Sequence, residues 1–151
     1  MQINFDKDFE IYNAEQEILG RFASIIAKQL LKGKKVAIIN AEKALLSGHK
    51  KDIIKEYRTK LNLIEKANPT HSPYWSRRPD LLVKRIVRGM LPYRKPIGKL
   101  AYKRLYVFID QPENIKPENI KKLNIKDPKK IFVNTISIKE LSKLLGYTVK
   151  V

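Results

Sequence analysis

Cysteine is missing from the 151 residues. That excludes disulfides and cysteine-based zinc sites, and it fits an intracellular protein. Glycine is sparse: the six, at positions 20, 33, 48, 89, 98 and 146, never lie closer than nine positions apart. Phosphate-cradling loops and dinucleotide fingerprints need clustered glycines, so both are excluded in their usual form. Gly33-Lys34 resembles the end of a phosphate loop, but Lys35 follows instead of Ser or Thr, and no glycine stands five positions earlier. The two histidines, His49 and His71, share no ligand spacing with each other or with a carboxylate. Ser47 lacks the glycine two residues upstream that a nucleophile elbow needs. No metal, cofactor, small-molecule substrate or catalytic group is expected.

Long apolar runs are absent too. None approaches the roughly 18 residues of a membrane span. The N-terminus lacks a basic region followed by an apolar stretch, so no signal peptide is expected. The last scarcity is local. Between Lys66 and Ile109 the only acid is Asp80.

What the chain has in excess is positive charge. Lys and Arg total 32 against 15 Asp and Glu, a formal charge of +17 with a pI near 10.0. Like charges repel, so such a balance implies an acidic partner, most often nucleic acid. The charge is densest in RRPDLLVKRIVRGMLPYRKPIGKLAYKR, residues 77–104, with ten cations: Arg77, Arg78, Lys84, Arg85, Arg88, Arg94, Lys95, Lys99, Lys103 and Arg104. These are candidate nucleic-acid-binding residues. His49, Lys50 and Lys51, in a basic turn after Gly48, form a second candidate cluster. Tyr74, Trp75, Tyr93 and Tyr102 interleave with the cations. Each suits either stacking on an unpaired base or packing beneath the basic face.

Periodicity supplies a frame. Phe9–Asn13 alternates like a strand, Glu17–Leu31 has helical spacing, and Val36–Ile39 is an apolar run typical of a strand buried on both faces. Together they read as a right-handed βαβ unit with parallel strands. Residues 52–61 predict a helix with Ile53, Ile54, Tyr57 and Leu61 on its apolar face. Residues 79–91 predict another, opened by Pro79 and stopped by Pro92. There Leu82, Val83, Ile86, Val87 and Met90 share one arc, and Lys84, Arg85 and Arg88 lie opposite. On that reading the three cations face outward, and replacing them with alanine leaves the fold intact. Residues 93–98 read as a loop, 99–104 as one or two helical turns, and Leu105–Ile109 as a second central strand. Residues 111–130 read as an exposed, partly irregular extension, and Ile131–Val133 as a short strand. Ser137 and Glu140 match a capping box opening a helix to Leu145, with Gly146 as its stop.

Several motifs resemble one family. They are Leu19-Gly-Arg-Phe-Ala-Ser24, Ile39-Asn-Ala-Glu42 with Ser47-Gly48, Arg78-Pro79, Val87-Arg-Gly-Met-Leu-Pro92, and Gly98 through Arg104-Leu-Tyr-Val-Phe108. Over residues 9–110 they are similar to the universal L-thirteen family of large-subunit ribosomal proteins. Bacterial members carry an insertion between the first helix and second strand, which this chain crosses with Gly33-Lys34-Lys35. With the segment after Asp110, it resembles an archaeal or eukaryotic type, and its shortness favours the archaeal. The resemblance implies an α/β fold: a three-layer α/β/α sandwich around a four-stranded, mostly parallel sheet. It implies a single domain over 1–151, with a core at about 9–110 and a C-terminal extension. It implies binding to large-subunit rRNA early in assembly, through the region at 84–104, beside neighbouring ribosomal proteins in the cytoplasm, and no enzymatic role. The alternative is an α/β enzyme acting on nucleic acid or nucleotide, with the basic face as a substrate guide. It would need a metal or acid–base cluster beside the basic stretch, and the sequence supplies none.

Overall fold

Val36-Ala-Ile-Ile39 is fully buried, and the sheet extends from it to both sides. The computed structural model describes residues 9–112, 120–123 and 134–148. Strands β1 (Phe9–Asn13), β2 (Lys35–Ile39), β4 (Leu105–Val107) and β5 (Ile120–Lys122) form one sheet in the order β4-β2-β1-β5. Every pairing in it is parallel. A second, antiparallel pair joins β3 (Leu45–Ser47) to β6 (Thr135–Ser137). The helices are α1 (Leu19–Leu31), α2 (Lys50–Asn62), α3 (Pro79–Gly89), α4 (Pro96–Lys103) and α5 (Ile138–Leu144).

The two-residue period of the strands sorts their side chains between two clusters. Tyr12, Val36, Ile38 and Leu105 face a large core to which all five helices contribute, including Phe22, Tyr57, Val83, Ala101 and Leu141. Ile11, Ala37 and Ile39 face the other way, with Phe9, Tyr106, Phe108 and Ile120 packed around them. Burying each of these large apolar side chains stabilises by about 1.5–3 kcal/mol. The fold is thus the α/β sandwich around a four-stranded parallel sheet that the family resemblance implied.

Four local expectations need correction. Helix α1 starts at Leu19, not Glu17, because Ile18 bridges to Leu45 and the Glu17 carbonyl accepts the Leu45 N–H at 2.9 Å. Strand β4 is not central. It lies at an edge of the described sheet, and Tyr106 and Val107 are only half-buried. Residues 120–122 are not irregular: they pair with β1 and close the other edge. The core also reaches past residue 110, since Ile136, Ile138 and Leu141 are fully buried in the main cluster. The strand read at 131–133 lies outside the described residues. In α5 the Ser137 hydroxyl accepts the Glu140 N–H at 3.2 Å, and Gly146 takes a φ of +90° at the C-terminal stop.

Glu10 ties the sheet edge together. Its Oε1 accepts Lys34 Nζ at 2.7 Å and Lys121 Nζ at 3.0 Å, and Tyr12 donates to its Oε2 at 2.8 Å. Burial alone would raise its pKa. The three donors outweigh burial and pull it down to about 2. Burial, and then the bond to Glu10, push the Tyr12 phenol up to about 12.

Candidate nucleic-acid interface

Helix α3 begins at Pro79, whose missing N–H costs nothing in the first turn. Leu82, Val83 and Val87 are buried as expected, and Ile86 is half-buried against them. Met90 is 41% exposed, because the helix ends at Gly89 and Leu91 takes the buried slot from the following turn. The opposite face differs from expectation. Lys84, Arg85 and Arg88 are half-buried, not free, and each rests on an aromatic ring. Lys84 Nζ lies 5.2 Å from the Tyr102 ring centre, and the Arg88 guanidinium lies 5.1 Å from that of Tyr93. Arg85 lies only 3.8 Å from the Trp75 ring centre, and its Nη1 donates to the Tyr74 carbonyl at 2.7 Å. Burial, with Arg88 nearby, lowers the Arg85 pKa from its usual range.

The rings are themselves paired. Tyr93 and Tyr102 meet edge to face at 5.3 Å, and Tyr57 and Trp75 at 6.2 Å. Lys60 sits over both Tyr57 and Trp75. Of the four aromatics weighed as stacking platforms, three therefore support cations of this face. Only Tyr74, 83% exposed, stands clear.

Past α3 the chain turns through Pro92–Lys95 and enters α4 earlier than expected, at Pro96. Gly98 fixes this junction. A Cβ there would lie 2.1 Å from the Pro92 carbonyl oxygen, so no other residue allows the helix to press on the turn. Arg88, Leu91, Pro92, Tyr93, Arg94 and Lys95 line an open groove of about 540 Å³ beside it. Arg94, Lys95, Lys99 and Lys103 are exposed and make no ion pair among the described residues. Arg77 is likewise exposed and unpaired, whereas Arg78 pairs with Asp80 at 2.8 Å. Arg104 is half-buried at the end of α4.

Residues 7–114 match the family model described as ribosomal protein L13. The chain belongs to the ribosomal protein L13 family. A relative from Methanopyrus kandleri is 38% identical over 144 residues, covering 93% of this chain and 89% of its own. One from Methanocaldococcus jannaschii is 40% identical over 137 residues, covering 90% and 96%. One from Sulfurisphaera tokodaii is 41% identical over 137 residues, covering 90% and 93%. All three are named large ribosomal subunit protein uL13, and such archaeal relatives agree with the short Gly33–Lys35 crossing. The L13 family is one of structural ribosomal proteins, not enzymes.

The second cluster of candidates is divided. His49 precedes α2 and meets Asn134 through its ring nitrogen at 3.3 Å. Lys50 is ion-paired with Glu140, and Lys51 is exposed without a pair among the described residues. Two exposed cations further along α2, Lys55 and Arg58, were not among the candidates. Their helical spacing from Lys51 was readable, but they sit among acids rather than in an acid-free run.

Proposed function

We propose that this chain is a structural constituent of the large ribosomal subunit that binds large-subunit rRNA through α3, the 92–95 turn and α4. The observation that carries the reading is a set of exposed cations, unpaired among the described residues: Arg77 just before α3, Arg94 and Lys95 lining the open groove at the 92–95 turn, and Lys99 and Lys103 on α4. A polyanion is the natural counterpart of such a set. The relatives are named as large ribosomal subunit proteins, which supports reading that polyanion as large-subunit rRNA, with neighbouring large-subunit proteins as further partners, in cytoplasmic ribosomes. Lys84, Arg85, Arg88, Arg78 and Arg104 add charge to the same region while being held by the fold. Affinity comes mainly from phosphates, and specificity from RNA shape, because side chains cannot read the narrow major groove of A-form RNA. Binding of this kind supports subunit assembly, and translation through it.

The test is a binding titration on a large-subunit rRNA transcript at several salt concentrations. Replacing Arg94, Lys95, Lys99 and Lys103 with alanine should weaken binding. It should also reduce the log–log salt slope by up to about 0.7–0.9 per lost phosphate contact. Unchanged affinity and slope would refute this face as the rRNA surface.

A further inference from the structure

Helix α2 carries a second cationic surface. Lys51, Lys55 and Arg58 fall within about 60° of one another at 3.6 residues per turn, and span about 10 Å of helix. Ile53, Ile54, Tyr57 and Leu61 occupy the side packed toward the core. The other cations of this helix are engaged: Lys50 with Glu140, and Lys60 with Glu56, Tyr57 and Trp75. Of its two acids, Glu56 is held by Lys60 on a different side of the helix, and the exposed Asp52 lies at the margin of the stripe, about 60° round the helix from Lys55. Lys51, Lys55 and Arg58 are exposed, make no ion pair among the described residues, and line a shallow groove of about 440 Å³ with Ile54, Thr59 and Asn62.

We infer that this α2 stripe is a second RNA-binding surface, fitted to the sugar–phosphate backbone of an RNA duplex. The inference rests on the RNA-binding reading above and assigns the class of RNA that one further face takes. Three features favour a duplex over an unpaired strand. The groove offers no aromatic ring, so it has no platform for a free base. Its cations repeat along a straight helix, which suits a regular row of phosphates. Thr59 and Asn62 stand among them as neutral hydrogen-bonding groups. The Thr59 hydroxyl donates to the Lys55 carbonyl at 2.9 Å, leaving its oxygen to accept from a ribose 2′-hydroxyl. The stripe points away from the Lys60–Trp75–Arg85 stack that joins α2 to α3, so it is a face separate from the α3–α4 groove.

The test uses the full chain, a 24-base-pair RNA duplex and a single strand without base pairing, titrated from about 0.05 to 0.3 M salt. A K51A/K55A/R58A variant should melt no lower than the wild type. Its duplex affinity should fall at least about tenfold near 0.1 M salt, with a salt slope smaller by about 2–3. Single-strand binding should change less than about threefold. The charge-retaining K51R/K55R/R58K variant should bind as wild type, which separates lost charge from a disturbed helix. Duplex affinity and slope unchanged in the alanine variant would overturn the inference and leave the stripe to solvent or a protein neighbour. So would a loss confined to the single strand. The R94A/K95A/K99A/K103A variant separates the two readings. If it loses rRNA binding while the α2 variant binds duplex normally, only the α2 inference fails. If the wild-type chain binds neither rRNA nor duplex, both fail.

Discussion

Replacing Arg85 with alanine should destabilise the fold before it affects binding. The guanidinium lies 3.8 Å from the Trp75 ring centre and donates to the Tyr74 carbonyl at 2.7 Å. A partly desolvated cation–ring contact contributes about 1–2 kcal/mol. A hydrogen bond from a charged donor contributes about 1.5–3 kcal/mol, less where water replaces it, as it does at this exposed carbonyl. The expected cost is therefore about 2–3 kcal/mol. For a domain of this size that lowers the melting temperature by about 5–10 °C. Trp75 is the only tryptophan, so its emission reports the same site. R85A should shift that emission to longer wavelength as the ring loses its cover. R85K should recover only part of the loss, because an ammonium cannot lie flat on the indole and still reach the carbonyl. Lys84→Ala, with its single contact at 5.2 Å from the Tyr102 ring centre, should cost only about 0.5–1 kcal/mol. Circular-dichroism melts and tryptophan emission of the three variants make the comparison. An R85A variant that melts within about 1 °C of wild type with unchanged emission would refute the reasoning.

Gly98→Ala should destabilise by about 1–3 kcal/mol or more in a urea titration, since its Cβ would meet the Pro92 carbonyl. Gly89→Ala is the control: nothing lies within 4 Å of a Cβ there, so the helix should gain up to about 1 kcal/mol. Glu10→Gln should flatten the acid limb of the stability curve. The folded pKa of Glu10, about 2, lies below the ordinary 4.5, so its contribution is full above about pH 5 and is lost as pH falls toward 2. With half-exposed lysine partners that contribution is about 1–2 kcal/mol, read as the wild-type minus variant difference between pH 5 and pH 2.

The parts of the fold legible in the sequence are those whose signal is local. Val36–Ile39 is apolar at every position because both its faces are buried. Leu82, Val83 and Val87 repeat at helical spacing because one side of α3 meets the core. The sheet edges were not legible. Ile120-Lys-Lys122 has no apolar run, and is held by pairing with Ile11–Asn13 and by Lys121 on Glu10, more than a hundred residues earlier. Leu105–Ile109 looks like a central strand because Tyr106 and Phe108 are apolar, yet they only flank the smaller cluster. The candidate site divides the same way. Its charge is readable from composition. The rings beneath Lys84, Arg85 and Arg88 are not, because Trp75 reaches Arg85 from a loop and Tyr102 reaches Lys84 from another helix. Only tertiary structure shows that half-buried cations hold the fold while the exposed ones remain available.

That division makes the free protein sensitive to salt in a stated direction. Glu10, Glu15, Glu42, Glu56, Asp80 and Glu140 each take at least one Lys or Arg. Among the described residues, within a formal +17 for the chain, unpaired positive charge concentrates on α2, the 92–95 turn and α4, where like charges repel. Raising ionic strength acts on both terms. It weakens the ion pairs, but exposed pairs contribute only about 0–1 kcal/mol each. It also shortens the screening length from about 30 Å at 0.01 M to about 8 Å at 0.15 M. That range covers repulsion between separate cationic segments, whereas paired groups at 2.7–3.4 Å stay well inside it. Relief of repulsion should therefore win, and the melting temperature should rise between 0.01 and 0.15 M sodium chloride. A polyanion that occupies the cationic faces should raise it further at low salt and lose that effect at high salt. A melting temperature that falls steadily with added salt would mean that the ion pairs, led by the Glu10 cluster, outweigh the repulsion.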